Sequence, residues 1–319
     1  MLELTVFVIS LIALVLGADW LGNSATHIAQ RFSLPRVLIG ATIVSLATTL
    51  PEIIIAAFSG AEGSPEIGVG TVFGSPLVNI GLTFGLLLMF SKTQVDKQYL
   101  SRTIIFFLIS LSLVLILFLG GTTSPIFGLL LIIFGVIYLM IQSAISKQEE
   151  SLLEEIENRF DRLKIFFTER ENYHQIFYLI LGSLLLFLGA HFLVNSAVVL
   201  AEILGAPQLV VGFVIIAFGT SLPEAFTTIN SIIKRRVGLS TGNLFGASVL
   251  DLTLALGIIS CFGGVKINPF NLYVTIGSLA LLASVSLLST YGRVSPKILG
   301  TVLVVIYLAS IIWFGRIGI

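Results

Sequence analysis

The chain has 319 residues, of which 56% are hydrophobic and 11% are charged, and its mean hydropathy is +1.07. Soluble domains carry about 25% charged residues, so this chain has too few to cover a surface exposed to water. Its 17 lysines and arginines are balanced by 17 acidic residues, which excludes a basic surface for nucleic acid. We therefore expect a polytopic membrane protein and, because no nucleophile–base pair or phosphate loop is visible, not an enzyme.

Ten stretches are long and apolar enough to form membrane helices, which need about 20 residues each. In chain order they cover residues 2–30, 37–60, 67–90, 103–120, 125–146, 175–201, 208–233, 239–263, 269–290 and 298–315. The first stretch has no basic segment before it and no small-residue cleavage site after it, so we interpret it as a membrane helix rather than a signal peptide. The single cysteine, Cys261, excludes an intrachain disulfide and a cysteine-rich metal site.

One long polar segment separates the fifth and sixth predicted helices, and it carries eight acidic and five basic residues between Lys147 and Gln175. Its apolar residues recur at helical spacing, so we interpret residues 147–174 as an amphipathic linker on the membrane surface. Counting alternate connections places 15 lysines and arginines on one side of the membrane and two on the other. Because positive residues stay cytoplasmic, we expect the linker in the cytoplasm and both termini outside.

Residues 16–52 and 188–224 are two copies of one pattern, separated by 172 positions. Fifteen of the 37 aligned positions are identical, and the register continues without a gap through Gly74 and Gly246. Residues 1–146 and 175–319 then hold five helices each, and this odd number makes the second half enter the membrane from the opposite side. We therefore predict an all-α fold of ten transmembrane helices in two inverted five-helix repeats, with the substrate site between them near the midplane.

Three acidic residues lie deep within predicted helices that are otherwise uncharged, namely Glu52, Glu224 and Asp251. The offset of 172 makes Glu52 equivalent to Glu224, and Asn79 equivalent to Asp251. A carboxylate at the bilayer centre costs at least about 2.5 kcal/mol. Three of them indicate a polar cavity, the uptake of protons or a bound cation.

Pro51 and Pro223 each lie within a predicted helix, directly before the two glutamates. A proline there removes a backbone hydrogen bond, which frees carbonyl oxygens near Thr48 and Thr220 to bind a cation. Thr48 and Glu52 are four residues apart, so they can share one helix face. The candidate ligands are oxygens only, as calcium requires, and no histidine or cysteine cluster suggests zinc or copper.

Four segments resemble the two α-repeats of the cation/calcium antiporter superfamily: GATIVSLATTLPE, GFVIIAFGTSLPE, GVGTVFGSPLVNIGL and STGNLFGASVLDLTL. The resemblance covers the whole chain and is to the prokaryotic type of sodium/calcium exchanger. It implies that Glu52 and Glu224 are the central calcium ligands, with Asn79 and Asp251 across the middle of the cluster. The other implied ligands are carbonyls of Thr48 and Thr220 for calcium and, in two flanking sodium sites, hydroxyls of Thr49, Ser75 and Ser221 with carbonyls near Ser45 and Ala217.

One position departs from the pattern of these exchangers. Ala247 is equivalent to Ser75, where the resemblance implies a serine hydroxyl in one sodium site. The adjacent Ser248 is rotated by about 100° around the helix. One flanking sodium site is therefore expected to be weakened, moved or absent.

The first hypothesis for function is a secondary antiporter that exchanges Ca²⁺ for Na⁺ by alternating access. Calcium/proton antiport and potassium-dependent sodium/calcium exchange are alternatives on the same fold. A passive cation channel is a further hypothesis, although the acidic residues cluster at one depth rather than along a pore. We expect no cofactor, no nucleic acid and no inferable protein partner besides the ions and the bilayer, and a location in a plasma membrane of prokaryotic type.

Overall fold

The structure is a computed structural model that describes residues 2–31, 45–90, 97–119, 121–147, 170–233, 237–263, 267–291 and 294–317. Within these ranges, nine helices are long and apolar enough to cross a membrane. A further apolar helix, Ser45–Ala61, is shorter, and the start of the predicted helix at residue 37 lies outside the described residues. The prediction of an all-α membrane protein is confirmed.

We name the helices α1 to α10 in chain order. The first half contains α1 (Leu2–Arg31), α2 (Ser45–Ala61), α3 (Pro65–Phe90), α4 (Lys97–Leu117) and α5 (Pro125–Lys147). The second half contains α6 (Arg170–Leu204), α7 (residues 208–233), α8 (residues 237–261), α9 (Pro269–Tyr291) and α10 (Pro296–Ile317). Residues 148–169 lie outside the described residues, so the amphipathic linker and the division at residues 147–174 stay predictions.

Contacts between the two halves follow the internal repeat. Helix α3 packs against α7 and α10, and its equivalent, α8, packs against α2 and α5. The equivalent pairs α1 with α6 and α4 with α9 also pack against each other. Because each of these contacts has a counterpart under the exchange of halves, the two repeats interlock around α2, α3, α7 and α8.

The long helices α1 and α6 approach each other through small residues. A Cβ atom on Gly17 would lie 2.7 Å from the backbone nitrogen of Leu186, and one on Gly182 would lie 2.9 Å from that of Leu21. Such distances bring the two backbones into direct contact, as glycines permit between membrane helices.

Exposed apolar side chains mark the surface that faces lipid. On α5 they follow one another at helical spacing, as Ile126, Leu129, Ile133, Ile137 and Met140. By contrast, most of α3 and α8 is buried inside the protein. The candidate residues on these two central helices are therefore enclosed by protein rather than by lipid.

The central helices are irregular where the polar residues lie. Wider π-helical turns occur at Leu77–Phe84, Val211–Ile216 and Asp251–Ala255. Helix α2 continues through Pro51, whereas α7 breaks at Ser221, between Ala217–Thr220 and Leu222–Ile233. The two Pro-Glu motifs therefore have equivalent sequences but different backbones, and π-helical turns of this kind are frequent at functional sites.

Candidate cation site

Three carboxylates come together at the centre of the protein. Glu52 of α2, Glu224 of α7 and Asp251 of α8 are each at most 2% exposed. Helix α2 contacts both α7 and the π-helical turn of α8 that begins at Asp251. Asn79, also buried, lies on the π-helical turn of α3, which packs against α8. All four polar positions that the repeat singled out therefore belong to the central helices.

Hydroxyl groups connect the two halves at this centre. Ser75 donates a hydrogen bond to Oε1 of Glu52 over 3.3 Å. The Thr220 hydroxyl also lies beside the Glu52 carboxylate, and the Thr48 hydroxyl lies beside that of Glu224. The four-residue spacing suggested that Thr48 accompanies Glu52 of its own helix. Instead, each threonine lies beside the glutamate of the other half, because α2 and α7 are in contact here.

The carbonyl oxygens proposed as sodium ligands lie beside the hydroxyls of the same set. The Ser45 carbonyl accepts hydrogen bonds from Thr49 over 2.7 Å and from Thr48 over 3.2 Å. In the other half, Thr220 donates to the Ala217 carbonyl over 3.4 Å. A carbonyl oxygen has two lone pairs, and a hydroxyl that donates its proton keeps two of its own, so both kinds of oxygen can bind an ion while these hydrogen bonds remain.

Several buried oxygens at this centre have no hydrogen-bond partner among the described residues: Glu52 Oε2, Asn79 Oδ1, Ser221 Oγ and Asp251 Oδ1. An unsatisfied buried polar group costs about 1–3 kcal/mol, and more when it is charged. Across the described part of the chain, no three His, Cys, Asp or Glu side chains are close enough to hold a metal ion by themselves. A cation at this centre would therefore need hydroxyl, carbonyl or amide oxygens in addition to the carboxylates.

Ala247 and Ser248 differ in whether their side chains have an oxygen atom. Ala247 is buried and has no polar side-chain atom. The Ser248 hydroxyl donates to the Leu244 carbonyl of its own helix over 2.8 Å. The hydroxyl of Ser248, next to Ala247, is therefore hydrogen-bonded within α8.

Sequence reasoning missed three polar residues near this centre. Asn243 of α8 accepts a hydrogen bond from Thr48 over 3.3 Å, and on α5 Gln142 donates to the Tyr138 hydroxyl over 3.0 Å. A signal existed for the pair on α5, since two polar side chains four residues apart share one face of an apolar helix. For Asn243 the signal was the difference between the repeats, because the equivalent residue is Thr71.

A polar pair lies apart from this centre, where α6 meets the connection between α2 and α3. His191 Nδ1 and Glu62 Oε1 are 2.5 Å apart, and both side chains are partly exposed. Asn195 donates to the His191 carbonyl over 3.1 Å. The contact between His191 and Glu62 joins segments of opposite halves, whereas the hydrogen bond from Asn195 lies within α6.

Interlocked inverted repeats around buried, oxygen-bearing side chains are the architecture of many membrane secondary transporters. The sequence profile of the sodium/calcium exchanger protein family matches residues 2–144 and 174–316. The chain therefore belongs to the sodium/calcium exchanger family, and the resemblance stated from its motifs is confirmed.

Similar proteins cover nearly the whole chain. An uncharacterised membrane protein of Methanocaldococcus jannaschii is 30% identical over 90% of this chain and 91% of its own length. An inner membrane protein of Escherichia coli is 27% identical over 99% of both. A solved structure of the sodium-calcium exchanger NCX_Mj, soaked with sodium and strontium ions, has a TM-score of 0.68 at 27% identity and covers 98% of each chain. The prediction of a multi-pass membrane protein is confirmed.

Proposed function

We propose that this protein is a secondary active antiporter that exchanges calcium for sodium across the membrane by alternating access. The observation that carries the proposal is the meeting of three buried carboxylates with hydroxyls from both halves. The similarity to a sodium-calcium exchanger of known structure supports the choice of ions.

In this proposal, Glu52 and Glu224 are the central calcium ligands, and carbonyls of Thr48 and Thr220 complete the shell. Asn79 and Asp251 lie across the middle of the cluster. Calcium takes six to eight oxygen ligands at about 2.3–2.6 Å, so carboxylates, hydroxyls and carbonyls must act together. The flanking sodium sites use the remaining candidates: Thr49, Ser75, Ser221, Ser45 and Ala217.

Charge compensation explains why exchange is coupled. Calcium and several sodium ions compete for the same carboxylates, so only one kind of cargo occupies the cluster at a time. Without cations, three buried carboxylates would be uncompensated, and burying isolated charges is costly. This cost opposes reorientation of the empty carrier. The equivalent long helices α1 and α6 are the candidates for the pair that moves.

We also propose a plasma membrane of prokaryotic type as the location, with the 147–174 segment in the cytoplasm and both termini outside. The distribution of lysine and arginine between alternate connections supports this orientation. The similarity to an inner membrane protein of Escherichia coli supports the location.

The proposal is tested by calcium uptake into proteoliposomes, under an outward sodium gradient or an outward proton gradient at matched membrane potential. We expect uptake driven by sodium. Uptake driven only by protons would select calcium/proton antiport, and a requirement for potassium would select potassium-dependent exchange. Flux that does not saturate and does not accelerate with a counter-ion on the opposite side would indicate a channel.

Glu52→Gln and Glu224→Gln test the ligands directly. A unit charge about 4 Å from a second charge contributes about 4 kcal/mol at an effective dielectric constant of about 20, so losing one carboxylate should reduce calcium uptake to background. Glu66→Gln is the matched control, because it removes an exposed carboxylate from the start of α3. Normal calcium exchange in either buried-glutamate variant would refute the ligand assignment.

A further inference from the structure

The two flanks of the central site carry their hydroxyl groups at different positions. Ser75 of the first half is equivalent to Ala247 of the second, so one hydroxyl is absent at position 247. Ala217 of the second half is equivalent to Ser45 of the first, so one hydroxyl is present at position 45. We call the two regions the Ala217 flank, which includes Gly74 and Ser75, and the Ser45 flank, which includes Gly246 and Ala247.

On the Ala217 flank, α3 lies directly against α7. A Cβ atom on Gly74 would lie 2.6 Å from the Cβ of Ala217. The next residue, Ser75, donates its hydrogen bond to Glu52. On this flank the hydroxyl comes from the residue after the glycine, and the facing residue is apolar.

On the Ser45 flank, α8 faces both α2 and α5. A Cβ atom on Gly246 would lie 3.2 Å from Ser45 Oγ and 3.2 Å from Tyr138 Oη. Two hydroxyl oxygens therefore border the point where α8 presents no side chain. The next residue, Ala247, cannot supply a hydroxyl, so here the oxygens come from the residues that face the glycine.

The polar pair on α5 occurs on the Ser45 flank and has no polar counterpart of similar size in the other half. Tyr138 and Gln142 are each at most 2% exposed and are hydrogen-bonded to each other. Their equivalents are Ser310 and Phe314, and the Phe314 ring packs on Phe213 with centroids 4.1 Å apart. The hydrogen bond from Gln142 holds the Tyr138 oxygen in its position next to Gly246.

We infer that the Ser45 hydroxyl, which borders Gly246 together with the Tyr138 hydroxyl, supplies the cation ligand that Ala247 lacks. The Ser45 flank then keeps a site for a small monovalent cation, with its hydroxyl ligand on α2 instead of α8. This inference rests on the proposed exchange of calcium for sodium, and it assigns the two sodium sites different ligand sets.

The test compares Ser45→Ala, the double variant Ser45→Ala/Ala247→Ser, and Tyr138→Phe in proteoliposomes. Two quantities are measured for each: the sodium concentration that half-maximally drives calcium transport, and calcium/calcium exchange without sodium. Ser59→Ala is the matched control, because this buried serine of α2 donates its hydroxyl to the Ala56 carbonyl of its own helix.

Ser45→Ala should raise the half-maximal sodium concentration about fivefold, as expected for the loss of one neutral oxygen contact, and lower the Hill coefficient. Tyr138→Phe should raise that concentration by a smaller factor. In the double variant the half-maximal sodium concentration should return toward the wild-type value, because a hydroxyl at position 247 gives the Ser45 flank the arrangement found on the Ala217 flank. Calcium/calcium exchange should match the Ser59→Ala control throughout, which shows that folding and the calcium site are intact.

Unchanged sodium dependence in Ser45→Ala would overturn the inference, as would a double variant that remains as impaired as Ser45→Ala. Loss of both sodium-driven transport and calcium/calcium exchange would also overturn it, since Ser45 would then serve the calcium site or the fold. Failure of the proposed function looks different, because the wild-type protein itself would then show no sodium-driven calcium transport.

Discussion

Gly74→Ala should separate α3 from α7 and disturb the central site through packing alone. The added Cβ would lie 2.6 Å from the Cβ of Ala217, whereas ordinary contacts begin at 3.4 Å, and it would also lie against the Phe213 carbonyl. The Phe213 carbonyl oxygen would be nearer still, at 2.3 Å, so the two helices would have to move apart by about 1.1 Å. Overpacking of a tightly packed interior costs about 1–3 kcal/mol.

The same displacement acts on the neighbouring residue. The hydrogen bond from Ser75 of α3 to Glu52 of α2 is already 3.3 Å long, so a shift of α3 relative to α2 by this distance would break it. We therefore expect Gly74→Ala to be both less stable and weaker in calcium binding. The melting temperature of large domains changes by roughly 2–4 °C per kcal/mol, which predicts a fall of roughly 2–12 °C.

The assay is thermal unfolding of the purified protein in detergent, with and without calcium, together with calcium uptake. Gly277→Ala is the matched control, because its Cβ would meet nothing within 4 Å. Both substitutions gain the same helix propensity, up to about 1 kcal/mol, so their difference isolates the packing effect. Equal melting temperatures and equal uptake in the two variants would refute the reasoning.

Two further predictions concern the periphery. His191→Gln removes the partly exposed pair with Glu62. Exposed ion pairs contribute about 0–1 kcal/mol, so the melting temperature of this variant should fall by no more than a few degrees, and Glu62→Gln should behave alike. A larger fall would mean that the pair is essential for the fold. Cys261 is exposed near the end of α8 that the proposed orientation places outside the cell. A membrane-impermeant maleimide should therefore label the protein at Cys261 in intact cells. Cys261→Ser should abolish that labelling, whereas labelling only of inside-out vesicles would reverse the orientation.

The fold and the residues at its centre could be predicted because the repeat made a long-range relation visible in the sequence. An offset of 172 positions paired Glu52 with Glu224, and burial of an acid within an apolar helix predicted a polar centre. The same offset identified Ala247 as the exception among the candidate ligands. Periodicity, transfer energies and symmetry gave the polar centre, whereas the ligand roles and the serine expected at position 247 came from the resemblance to the exchangers.

Local backbone geometry could not be predicted in the same way. Pro51 and Pro223 have similar neighbours, yet α2 continues through the first, while α7 breaks at Ser221, just before the second. The π-helical turn at Asp251 is equally invisible to a count of apolar residues. Packing against the surrounding helices decides these features, and tertiary context routinely overrides local propensity.

Tyr138 shows a different limit. An aromatic residue in an apolar helix usually serves packing, and nothing in its own segment relates it to Ser45, which lies on another helix. Only the contacts of α8 with both α2 and α5 bring the two hydroxyls to the same glycine. Such a relation between three helices needs coordinates.

The lengths of α1 and α6 make bilayer thickness a physical variable for this protein. At 1.5 Å per residue, their 30 and 35 residues extend about 45 and 52 Å, whereas the hydrocarbon core measures about 30 Å. Because the two backbones touch at Gly17 and Gly182, the helices must tilt or protrude together. Mismatch costs a fraction of a kcal/mol per ångström, enough to favour one tilt over another. The acyl-chain length of the bilayer lipids should therefore change the free energy of tilting this helix pair. It should alter the turnover rate of transport independently of the ion gradients.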